Sequence, residues 1–183
     1  MKGNIMIYYV KNREKFQQLL EMLSKEENLS FKKLESLLGL VEENPDIPVT
    51  AEELASQLDD FPMVVFEREA IFIYPEREIS DFSITPKMLN EILDDELSVE
   101  TVKIFLEKED EFSVPTSILN LETKQNEVRC VLSSKWFLDK LEKGIFYYYK
   151  WNGIAGSWGI ALNYEGKFYF GNLSNRPMPF MQG

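Results

Sequence analysis

Apolar positions recur at helical intervals through much of the first half of the chain and at strand intervals through the second. Residues 5 to 10 form a short β-type run. Asn12 then caps a segment in which Phe16, Leu19, Leu20 and Leu23 follow the i, i+3, i+4, i+7 spacing of an amphipathic helix. Ser30 opens a second helix with Phe31, Leu34, Leu37 and Leu38 inward and Gly39 at its C-terminal cap. After the proline-bounded loop ENPDIPV, Thr50 to Glu53 have the form of a capping box, and Ala51, Leu54, Ala55 and Leu58 supply a buried stripe. Residues 63 to 66 and 70 to 74, rich in Val, Ile and aromatics and closed by Pro75, predict a hairpin around EREA. Thr85 and Pro86 are an N-cap and N1 pair for a helix burying Met88, Leu89, Ile92 and Leu93. Ser98 opens another, to about Glu109, burying Val99, Val102, Phe105 and Leu106.

From Ser117 the texture changes. SILNLETKQNEVRCVL reads as a hairpin turning at 124 to 126, and SSKWFLDKLEKG as a capped helix ending at Gly144. The stretch GIFYYYKWNGIAGSWGIALNYEGKFYFG predicts three strands, about 145–151, 157–164 and 167–171, with an NGIAG loop and a tight YEGK turn. Strand alternation puts Tyr147, Tyr149 and Trp151 on one side, with Phe146, Tyr148 and Lys150 on the other. In the next strand Trp158, Ile160, Leu162 and Tyr164 oppose Gly159, Ala161 and Asn163. One large apolar face and one small, partly polar face predict a sheet buried on one side. The expected fold class is α+β: a helix-rich acidic N-terminal and central part with a short hairpin, then a C-terminal antiparallel aromatic sheet with one helix. The whole reads as one compact domain over 1–183, with a possible subdivision into 1–111 and 112–183.

At 183 residues and 44% apolar, the chain is long enough to bury a core. No apolar run reaches the roughly 18 residues of a membrane span, and the N-terminus lacks a signal-peptide pattern, so a cytoplasmic protein off the membrane is expected. The single cysteine, Cys130, lies in the alternation VRCVL and is expected to pack as a small hydrophobe. Histidine is absent, which removes serine–histidine and cysteine–histidine couples and the usual zinc sites. Catalysis would have to run on carboxylates, lysine, tyrosine or a hard metal ion, so the sequence favours a non-enzyme with no cofactor.

Charge sharpens this picture. The net charge is −11, but residues 42 to 111 hold 21 Asp and Glu against 5 Lys and Arg, a balance of −16. The flanks hold 10 acids against 15 bases, a balance of +5. Glu91, Asp94, Asp95 and Glu96 end one predicted helix; Glu100, Glu107, Glu109, Asp110 and Glu111 line the next. Helix neighbours three or four apart lie about 5–6 Å apart, comparable with phosphates along a nucleic-acid strand. These nine acids are therefore the candidate contacts for a protein partner with a basic surface, and a nucleic-acid mimic is the functional reading. A solvated acidic face is the plain alternative. Carboxylates at 94–96 would also oppose a helix dipole.

Other chemistries are weaker. Base-stacking surfaces pair aromatics with several cations; the aromatic strands hold only Lys150 and Lys167, with Lys135, Lys140 and Lys143 on the preceding helix, so no strong direct nucleic-acid binding is expected. Tyr147, Tyr149 and Trp151 are secondary partner-binding candidates. GIF and YFG echo the two triplets of GIY-YIG nucleases but stand too far apart, with too little chain after them. Asp110 or Glu111 with Glu122 and Lys124 resembles the spacing of the PD-(D/E)xK nucleases, where two carboxylates hold Mg or Mn and a lysine positions water. A solvated hairpin tip accounts for Glu122 and Lys124 more simply. No calcium loop of the D-x-D-x-D-G kind occurs.

Taken whole, the chain resembles the inhibitor proteins of phages and mobile elements of low-GC Gram-positive bacteria, and among them the type II anti-CRISPR proteins. The stretches that carry this are IYYVKNREKFQQLLEML, TPKMLNEILDDELSVETVKIFLEKEDE and the aromatic end. The resemblance implies a partner such as Cas9 with its guide RNA, blocked by occupation of its basic channel, and it transfers no residue roles. An immunity protein against a bacterial toxin would use similar acidic complementarity, and a metal-dependent nuclease acting on guide RNA or DNA through Glu122 and Lys124 is the third class.

Overall fold

Strand-forming segments from both halves of the chain meet in one sheet. The computed structural model describes residues 7–10, 12–25, 35, 36, 38–41, 50–58, 61–73, 86–107, 111–123, 126–150 and 158–173. Its strands are β1 (Ile7–Tyr9), β2 (Met63–Phe66), β3 (Glu69–Phe72), β4 (Glu96–Leu97), β5 (Ser113–Asn120), β6 (Asn126–Ser133), β7 (Ile145–Lys150), β8 (Trp158–Tyr164) and β9 (Lys167–Asn172). The helices are α1 (Arg13–Lys25), α2 (Glu52–Leu58), α3 (Pro86–Ile92), α4 (Val99–Glu107) and α5 (Ser134–Leu138). Among the described residues the nine strands run in the order β1-β2-β3-β6-β5-β9-β8-β7-β4, and only β1 and β2 pair in parallel.

This overturns the expectation of a helix-rich part with a short hairpin beside a separate C-terminal sheet. The hairpin β2–β3 does form, turning at Glu67 with φ 50°. Its outer strand then pairs with β6 through Ala70 opposite Val131 and Ile71 opposite Cys130, which fuses the two halves into one mixed sheet. The helices are short and serve as covers.

The sheet is also buried on both faces, not one. On the first face Val64, Ile71, Val114, Ile118, Cys130, Leu132, Phe146, Trp158, Ile160 and Leu162 pack with Phe16, Leu19 and Leu20 of α1, Val102, Phe105 and Leu106 of α4, and Trp136 and Phe137 of α5. The second face carries two patches. Ala51 and Ala55, at and within α2, cover Met63, Val65, Ala70, Phe72 and Val131. Leu89 and Ile92 of α3 cover Tyr147, Tyr149, Ala161, Phe168 and Phe170. The alternation in β8 is large against small rather than apolar against polar: Tyr149 lies opposite Gly159 and Tyr147 opposite Ala161. A Cβ on Gly159 would run into the Gly171 carbonyl oxygen of the neighbouring strand and stand 2.8 Å from the Tyr149 ring, so a glycine here makes room for both.

Local features follow the sequence closely. Asn12 Oδ1 accepts from the Lys15 amide at 2.9 Å and caps α1, while Gly39 sits at φ 65°. Glu165 and Gly166, at φ 49° and 79°, make the two-residue turn between β8 and β9. Cys130 is fully buried. Ser133 caps α5 by accepting from the Trp136 amide at 3.1 Å, but the helix stops at Leu138 and tight turns, such as Lys140 N–H to Phe137 O at 3.0 Å, carry the chain toward Gly144. The predicted helix start at Ser30, the loop ENPDIPV, the NGIAG loop and the tail NRPMPFMQG lie outside the described residues.

Candidate functional site

The acidic segment wraps around one edge of the sheet. Leu89 and Ile92 hold α3 on the second face, Glu96 and Leu97 lie opposite Tyr147 and Phe146 as the edge strand, and Val102, Phe105 and Leu106 hold α4 on the first face. The Tyr148 amide extends this ladder by donating to the Asp95 carbonyl at 2.9 Å. Phe105 seats its ring 5.3 Å from that of Trp158 at 65°. Ser98 starts α4: its Oγ accepts from the Thr101 amide at 3.2 Å and lies 2.8 Å from Thr101 Oγ1.

This path decides where the carboxylates stand. Glu91 on α3, Asp94 and Asp95 in the following turn, Glu96 on β4, and Glu100 and Glu107 on α4 are all exposed along the wrap. α3 ends at Ile92 and tight turns follow, with the Asp95 amide donating to the Ile92 carbonyl at 3.0 Å, so Asp94 and Asp95 stand directly past the negative end of this short helix. Lys87 and Lys103 are exposed in the same segment. The field of the acids reaches inward: burial first, then Glu96, raises the pKa of the Tyr147 phenol, and burial, then Asp95, raises that of Tyr148. Leu93 and Val99, expected in the core, are exposed instead, because each falls where a covering helix has passed the sheet edge.

The remaining candidates are dispersed. Glu109, Asp110, Lys124 and Trp151 lie outside the described residues. Tyr147 and Tyr149 are buried under α3 and present no contact surface. Glu111 precedes β5, close enough to Glu69 of β3 to act on it electrostatically. Glu122 follows β5 at an exposed hairpin tip, where its amide donates to Asn120 Oδ1 at 2.8 Å. Eight strand residues at about 3.3 Å each put Glu111 and Glu122 at opposite ends of β5, roughly 25 Å apart, too far to share one metal ion. Among the described residues no group of three or more Asp, Glu or Cys is placed to hold a metal. No helix among them is long and apolar enough to cross a membrane.

A further ionisable site lies in the predicted turn EREA. Glu69 falls instead on the same strand face as Ile71 and is fully buried, where its Oε1 accepts from Arg13 Nη1 of α1. The Arg13 guanidinium lies 5.5 Å from the centroid of the Phe66 ring. Burial pushes the Glu69 pKa up to about 7 against the pull of Arg13 and the nearby Ser133 amide, and Glu111 adds to the rise. The alternation Glu69, Ile71, Ile73 carried this signal, since it points a carboxylate into the same core as two isoleucines.

Comparison with known proteins returns no match: no family model, no curated protein and no solved structure matches the chain.

Proposed function

We propose that the chain is an acidic binding protein that inhibits an enzyme acting on nucleic acid, by seating the β4 edge in the basic channel where DNA or RNA would lie. The observation that supports this is the exposure of Glu91, Asp94, Asp95, Glu96, Glu100 and Glu107 on one continuous segment folded around one sheet edge. An exposed edge lined with carboxylates complements a basic channel, and such an association gains from displacing the counterions of both surfaces. A Cas9–guide RNA complex is the target we put first, in the cytoplasm of a bacterial host, following the resemblance of the sequence to anti-CRISPR proteins.

The test is target cleavage by a Cas9–guide RNA complex with and without the protein, alongside binding measured across a salt series. Inhibition is expected, with affinity falling steeply as NaCl rises. The triple substitution Asp94→Lys, Asp95→Lys, Glu96→Lys is expected to abolish inhibition while leaving the circular dichroism spectrum unchanged, because all three side chains are exposed. Undiminished inhibition by the folded triple variant would exclude the acidic edge as the contact. Protection against a toxin nuclease, with no effect on Cas9, would replace the target by a toxin.

A further inference from the structure

Four large apolar side chains are exposed among the described residues: Leu93 at 40%, Val99 at 44%, Ile104 at 66% and Ile145 at 44%. Three belong to the segment that wraps the sheet edge, and the fourth is the first residue of the strand it covers. A lone exposed leucine needs no explanation, but exposed apolar residues gathered within a charged rim mark interaction surfaces. The ladder that sets Glu96 against Tyr147 and Leu97 against Phe146 ends there: Val99 follows two residues on at the start of α4, and Ile145 is the β7 residue next to Phe146. Ile104 projects from the side of α4 away from Val102, Phe105 and Leu106. Glu100 stands four residues before it and Glu107 three after, so all three share the outer stripe of the helix.

A surface built only to imitate phosphates gains nothing from an exposed isoleucine between two glutamates. Apolar contact with a protein does. We infer that the occupant of the α4 face is a basic amphipathic helix of the partner, setting an apolar residue against Ile104 and Lys or Arg a turn to either side against Glu100 and Glu107. Glu100 and Glu107 outnumber Lys103, which lies in the same exposed stripe, so the face favours a basic partner, and the spacing 100, 104, 107 matches the i, i+3/i+4, i+7 anchors of one helix face laid along another. The inference rests on the proposed binding function and narrows it: part of the contact is with protein side chains of the target and not only with its nucleic-acid channel.

Two fluorescent peptides of about 18 residues and equal positive charge test this at about 150 mM NaCl. One is an amphipathic lysine–leucine helix; the other replaces each leucine with serine. The amphipathic peptide is expected to bind about tenfold more tightly. Ile104→Ser is expected to erase that preference with no change in melting temperature, and Glu100→Gln with Glu107→Gln to weaken both peptides. Equal binding of the two peptides, or an undiminished preference in Ile104→Ser, overturns the amphipathic helix as occupant. Loss of Cas9 inhibition in the Asp94, Asp95, Glu96 triple variant would then still stand for the proposed function, so the two failures are distinguishable.

Discussion

At the scale of single residues, Glu69 shows how burial and pairing compete. Its charge is opposed by Arg13, but Arg13 is part-exposed and screened, and Oε2 of the carboxylate has no hydrogen-bond partner among the described residues. Desolvation therefore outweighs attraction, and the folded-state pKa stands at about 7 against an ordinary 4.5. Between those values the native state holds a proton that the unfolded chain has released, so stability falls as pH rises from about 4.5 to about 7 and this contribution levels off above. The full swing is on the order of 3 kcal/mol. Glu69→Gln keeps the shape without the charge, and Arg13 can turn to water; the variant is expected to lose this pH slope and to be more stable than the parent at pH 8. Urea unfolding of both proteins from pH 5 to pH 8 measures it, and parallel stability curves would mean that Glu69 is charged throughout. The sequence signal for this residue was present in its alternation with Ile71 and Ile73, but the proximity of Arg13, 56 positions away, was not.

At the scale of elements, the caps and turns were legible because their physics is local. Asn12, Ser98, Ser133 and the Glu165–Gly166 turn each act within three residues of themselves. Helix α4 is the element on which the candidate site depends, since it carries Glu100, Ile104 and Glu107. Ser98→Ala removes the cap acceptor and is expected to cost about 1 kcal/mol in chemical denaturation, while Ser98→Asn, which keeps an acceptor, is expected to cost little. Equal losses in the two variants would assign the effect to packing rather than capping. What the sequence pattern could not give was the role of Glu96 and Leu97. Two residues are too few for a recognisable strand, and the pairing with Tyr147 and Phe146 lies about fifty positions along the chain.

At the scale of the whole molecule, charge sets opposite responses to salt. A net charge of −11, with −16 concentrated in residues 42 to 111, makes the folded state repel itself. Raising NaCl from about 10 mM to about 300 mM is expected to raise the melting temperature by screening that repulsion. The same change is expected to weaken binding to a basic partner. Calorimetry and the binding series together check the pair of signs, and a melting temperature that falls with salt would mean that net attraction among charges stabilises the fold. The sheet edge makes the arrangement intelligible: a charged, two-residue edge strand discourages pairing with another chain, and the proposed partner contact draws on the same carboxylates.

The sequence by itself determined the local conformations, the acidic bias and the apolar stripes, because capping, turn geometry and side-chain periodicity are settled within a few residues. Only the tertiary structure decided that β3 joins β6, that both faces of the sheet are covered, and that residues 86 to 107 fold around its edge. Those outcomes depend on which distant strand offers free backbone partners and which apolar face remains uncovered, a competition over the whole chain that no local window contains. It placed Tyr147 and Tyr149 under α3 and left Ile104 in water among the carboxylates.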